Sequence, residues 1–85
     1  MVEDTLLPIL EELNSIHEDT SIPRNVRLRI RDVMVILNTA ETQLNLRVDR
    51  SLEELGAVAE DPDLPAYART QLWGVLSLLE SSPRN

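Results

Sequence analysis

Four acidic residues and two arginines are the side chains best placed to do chemistry in this chain. They form a signature that occurs twice: Glu18-Asp19-x-x-Ile22-Pro23-x-x-x-Arg27, then Glu60-Asp61-x-x-Leu64-Pro65-x-x-x-Arg69. Two chemistries fit. Converging carboxylate oxygens suit a hard cation, provided several meet at one point. Alternatively, each arginine, one helical turn past its proline, reaches back to the carboxylate or carbonyls of its own loop and clamps it. Nothing in the spacing forces the carboxylates of the two loops to converge, so the structural clamp (Asp19, Pro23, Arg27, Asp61, Pro65, Arg69) is the preferred reading. No metal site is assigned.

Other reactive groups are scarce. His17 is the only histidine. The carboxylate-bridged metal bundles need Glu-x-x-His on two helices; here position 14 is Asn, and Ala59 stands where a second histidine would. There is no cysteine, which removes thiolate chemistry, disulfides and cysteine-ligated zinc. No glycine-rich phosphate loop or nucleophile elbow is present. No catalytic residue and no cofactor are assigned, and the chain reads as a non-enzyme.

Arg24, Arg27, Arg29 and Arg31 form the one basic cluster, with 24, 27 and 31 on one helical face and 29 off it. A solvated helix face is the plain reading. A patch for RNA or DNA is the alternative, but no aromatic is interleaved to stack a base. The net charge of −7 also opposes attraction to polyanions and to anionic membranes. Nucleic acid is therefore the less favoured partner, and no membrane is expected. All eight basic residues are arginine; base composition of the genome and adaptation to a salty cytoplasm are two readings of that bias.

These groups must be positioned by helices. Eighty-five residues, 42% of them apolar, allow a single small domain with a real core. With no Phe, one Trp and one Tyr, that core must be aliphatic. No apolar run approaches a membrane span. Glu3 and Asp4 near the start do not suit a secretory signal, so a soluble cytoplasmic protein is expected.

Ten residues recur identically at an offset of 42, from Leu10-Glu11-Glu12-Leu13 against Leu52-Glu53-Glu54-Leu55 to Leu37 against Leu79. A fixed period signals one unit used twice. Apolar spacings of 3, 4 and 7 predict four helices. The first runs from about Asp4 to His17, capped by Asp4 or Thr5. The second opens at Pro23 as the first helical residue and ends at Asn38 and Thr39. Thr39 is expected to cap the third, from about Glu41 to Ala59. The fourth runs from Pro65 to about Glu80. Short connections favour antiparallel neighbours. The expected fold is all-α: an up-down-up-down four-helix bundle of two repeated hairpins, about 4–39 and 41–81, in one domain spanning 1–85.

Some apolar residues fall off the core stripes: Leu28 and Val35 on the second helix, Leu46 on the third, Trp73 on the fourth. Either neighbours cover them, with Trp73 lidding the core, or they mark a contact surface. The two halves also disagree at His17/Ala59, Arg24/Ala66, Asn25/Tyr67 and Arg31/Trp73. Arg24, Leu28, Arg31, Val35, Tyr67 and Trp73 are therefore the candidate partner surface, for a second copy of the chain and for another, unidentified protein.

The stretches Glu18-Asp19-Thr20-Ser21-Ile22-Pro23-Arg24-Asn25-Val26-Arg27, Asp61-Pro62-Asp63-Leu64-Pro65-Ala66-Tyr67-Ala68-Arg69-Thr70, Leu72-Trp73 and Leu79-Glu80 together resemble a small archaeal family, the uncharacterised protein family numbered one-four-seven. The resemblance spans nearly the whole chain and is weakest from Thr39 to Arg50. It implies an archaeal, cytoplasmic, compact helical protein. It supplies no catalytic or binding residues.

Overall fold

The computed structural model describes residues 4–81. A short 3-10 turn, Asp4–Leu6, leads into four helices: α1 (Leu7–His17), α2 (Arg24–Asn38), α3 (Leu44–Ala59) and α4 (Ala66–Glu80). There is no strand among the described residues. Each helix packs on its neighbours in the chain, and α1 also packs on α4. One aliphatic core fills the centre, with Leu13 and Ile16 from α1, Ile30 and Leu37 from α2, Val48 and Leu55 from α3, and Leu72 and Leu79 from α4. Leu10, Leu44, Leu52 and Leu76 are half-buried at its margin.

The boundaries correct four expectations. Neither Asp4 nor Thr5 caps α1: Leu6 occupies that position and no side chain bonds the first turn. Pro8 sits at the start of α1, where its missing N–H is one the helix cannot use. Pro23 and Pro65 stand one residue before their helices, with ψ of 144° and 149°, and are not the first helical residues. Thr39 does not cap α3; its hydroxyl donates to the carbonyl of Val35 at 2.7 Å and so finishes α2. Helix α3 accordingly starts later, at Leu44, with Gln43 before it at φ −58°, ψ 143°.

That last pair of angles is nearly the proline geometry without a proline. All three connections are in fact built alike. The N–H of Ile22 donates to the carbonyl of Asp19, that of Thr42 to Thr39 and that of Leu64 to Asp61, at 3.0, 3.0 and 3.1 Å. Four residues past each cap stands an arginine whose guanidinium turns back. Arg27 Nε donates to the Ile22 carbonyl at 3.0 Å. Arg47 Nε donates to Thr42 and its Nη1 to Leu37, both at 2.9 Å. Arg69 donates to the carbonyls of Ala59 (2.8 Å), Asp61 (3.0 Å) and Leu64 (3.3 Å). The last carbonyls of a helix lack partners within it and carry its negative pole. Arg47 and Arg69 supply a cation there, to α2 and α3 respectively.

Arg47 is only 3% exposed, so its two carbonyl partners have little access to water. Replacing it by Met strands them, and charge-assisted bonds of this kind are each worth roughly 1.5–3 kcal/mol. Nearby, Ser51 is fully buried and its hydroxyl has no partner; Ile9 holds the equivalent place in the first half. Urea unfolding should rank three variants: Arg47→Met loses about 3 kcal/mol, Arg27→Met about 1 kcal/mol, and Ser51→Ala gains up to about 1 kcal/mol by removing an unsatisfied buried group.

Candidate functional site

The two acidic loops lie side by side. Tyr67, in the first turn of α4, donates its phenolic hydrogen to Asp19 Oδ2 in the first loop. Arg29 of α2 faces Glu54 at 3.7 Å and Asp61, in the third loop, at 3.9 Å. The carboxylates are nonetheless engaged locally. Asp19 Oδ1 accepts the Ser21 N–H at 2.9 Å, and Asp61 Oδ1 accepts that of Asp63 at 2.8 Å, which tightens each loop into an Asx turn. Among the described residues, no three His, Asp or Glu side chains are grouped to hold a metal ion.

Arg27 and Arg69 reach carbonyls, while Asp19 and Asp61 fold their own loops. Ile22 and Leu64, beside the prolines, are buried and pin the loops to the core. Arg47 is the clamp residue that the sequence reading missed. Its signal was an arginine four places after the cap, as at Pro23/Arg27 and Pro65/Arg69, hidden because Gln43 replaces proline.

The Asp19–Tyr67 contact is the other group the spacing did not show. Tyr67 and, next, the Ser21 N–H hold the Asp19 carboxyl below its ordinary value of 3.8. In turn, hydrogen bonding to Asp19 first, then burial, raises the Tyr67 phenol above 10.0.

The candidate partner surface divides. On α2, Leu28 and Val35 are 40% and 58% exposed, not covered by neighbours. Arg24 and Arg31 are exposed on the same side, whereas Arg27 is drawn into its loop. A groove of about 480 Å³ runs beside them, lined by Arg31, Met34 and Val35 with Asn14 and the half-buried His17 of α1. On α4, Trp73 does not lid the core; it is 56% exposed, and Tyr67 54%.

These features define a class before they define a family: a four-helix all-α protein whose turns are clamped by arginine and whose described residues assemble no metal-binding group. No described helix is long and apolar enough to cross a membrane. The chain belongs to the uncharacterised protein family UPF0147, whose family model matches residues 1–82. Relatives bearing that family name in Methanosarcina acetivorans and Methanosarcina mazei are 40% identical over 74 residues; each match covers 87% of this chain and, in turn, 76% and 80% of the relative. The fold is similar to the crystal structure of a protein of unknown function, with TM-score 0.89 at 36% identity, covering 94% of this chain and 91% of the other. It is also similar to that of a UPF0147 protein from Thermoplasma acidophilum, with TM-score 0.87 at 31% identity and 92% of each chain covered.

The Asp19–Tyr67 bond makes a definite statement about pH. A carboxyl held below its unfolded value stabilises the fold above that value and loses the contribution as pH falls through the folded pKa. A phenol held above its unfolded value contributes below that value and loses the contribution as pH rises through the folded pKa. The bond thus acts fully between 3.8 and 10.0. Tyr67→Phe should lower stability at neutral pH, and the gap from wild type should close on acidification below the Asp19 pKa, measured by urea titrations across pH.

Proposed function

We propose that this protein is a non-enzymatic interaction module of the cytoplasm, which associates with itself and docks another protein on the outer face of α2. The helices are read as two hairpins in an up-down-up-down bundle. Short connections and the contacts of α1 with both α2 and α4 support that reading.

One observation carries the docking reading. The core is complete without Leu28 and Val35, yet both stand exposed, Leu28 between Arg24 and Arg31 and Val35 one turn past Arg31 along α2. Apolar side chains framed by arginines, beside an open groove, suit an amphipathic helix that brings apolar anchors and acidic flanks. The accessory nucleic-acid role draws less support. Of the four clustered arginines, Arg27 is committed to the Ile22 carbonyl and Arg29 faces Glu54 and Asp61. Two outward arginines on an acidic body release few counterions.

The test is purification of the tagged protein from its own cells, beside the Arg31→Glu/Val35→Glu double variant, with quantitative mass spectrometry of the proteins that follow. At least one protein should fall about tenfold with the variant, as loss of an interface anchor predicts. If none depends on these two residues, α2 is not the docking face.

A further inference from the structure

In a two-fold self-contact a residue i of one copy meets a residue j of the other, and j meets i, so a face with few charges is the easiest to lay against its copy. The four helices differ in this. The outward sides of α1 and α3 carry Glu11 and Glu12, and Asp49, Arg50 and Glu53; that of α2 carries Arg24, Arg31 and Asp32. Helix α4 differs. From Ala66 to Leu79 its one charged residue is Arg69, and that guanidinium is bound to three main-chain carbonyls.

The exposed side of α4 consists of Ala66, Tyr67, Thr70, Trp73, Gly74 and Ser77, with Leu78 at its edge and Glu80 at its end. It therefore holds both aromatic residues of the chain. Charge depletion with Tyr and Trp enrichment is the composition of an interface core, not of a solvated face. Gly74 adds an independent oddity. It lies in the helix interior, adopts no positive φ, and a Cβ there would meet nothing within 4 Å. Nothing within the chain requires glycine there, and glycine weakens a helix. A close neighbour from outside the chain would require it.

We infer that the outer face of α4 is a homodimer interface, in which two α4 helices pack antiparallel about a two-fold axis beside Gly74, each Trp73 ring lying over the Gly74 of its partner. This rests on the reading of the protein as an interaction module; it assigns self-association to α4 and leaves α2 for a different protein. Charge argues for it. The centre of the face, from Tyr67 to Ser77, contributes no free charge of its own, with Glu80 one turn beyond it and Glu12 bonded to Gln71 at its margin, so two bodies of −7 can approach here with little repulsion.

Trp73 is the sole tryptophan, so its fluorescence reports this face alone. Light scattering on the full chain should give twice the 9.6 kDa protomer mass at high micromolar concentration, and dilution should shift tryptophan emission to the red. Trp73→Glu and Gly74→Leu, both at exposed positions, should each weaken the dimer at least tenfold. Gly74→Ala should raise the melting temperature of the diluted monomer while weakening the dimer. Arg31→Glu/Val35→Glu should leave the dimer intact. A monomeric mass at the highest concentration would overturn the inference; so would a dimer that survives Trp73→Glu and Gly74→Leu, or one lost only with the α2 variant. Loss of the α2-dependent partner with an intact dimer bears on the docking reading alone.

Discussion

The joint on which the structure depends is an arginine guanidinium bound to main-chain carbonyls. Each helix ends with carbonyls that have no partner inside it, and each connection must reverse the chain within a few residues. Arg47 and Arg69 address both needs from the first turn of the following helix, and Arg27 braces its own connection. The planar guanidinium offers several donors in a fixed fork, which lysine's point charge does not. Arg69 uses this fully, holding three carbonyls from three different residues. Lysine in the same place would hold fewer of them. The absence of lysine from the chain costs these joints nothing, whatever its origin.

With the joints fixed, the core needs only aliphatic shape. The apolar spacing located the buried residues well because it depends on the helical period alone: Val26, Ile30, Val33 and Leu37 on α2, and Ala68, Leu72, Val75 and Leu79 on α4, are all inside. Helix starts were read less well. Pro23 and Pro65 suggested themselves as first helical residues, but their extended ψ makes each the last residue of its loop. Thr39 suggested a cap, yet a threonine hydroxyl can equally bond the carbonyl four residues back, and here it does.

The candidate site was legible where it repeats and illegible where it does not. The offset of 42 paired the first and third loops and passed over the second, because that offset spans two helices while the turn recurs after every one. Arg47, the most deeply buried of the three clamps, was thereby lost. Tyr67 was singled out because its counterpart is Asn25, but its bond to Asp19 joins residues 48 apart in the chain, and no local pattern encodes that. The exposure of Trp73 was likewise undecidable from spacing, since the same ring could lid a core or face outward.

The clamps and the long-range bonds also differ in when they can form. Every clamp closes a stretch of ten residues or fewer, so it meets little loop-closure entropy and each turn can assemble as soon as its own residues are available. The bonds that tie α4 and its loop back to the start of the chain are of another kind. Tyr67 to Asp19 and Gln71 to Glu12 span 48 and 59 residues. Closing the ring of helices between α4 and α1 therefore carries the largest loop-closure cost of these bonds, and it falls where the first helix, the shortest of the four at 11 residues, offers the least cover.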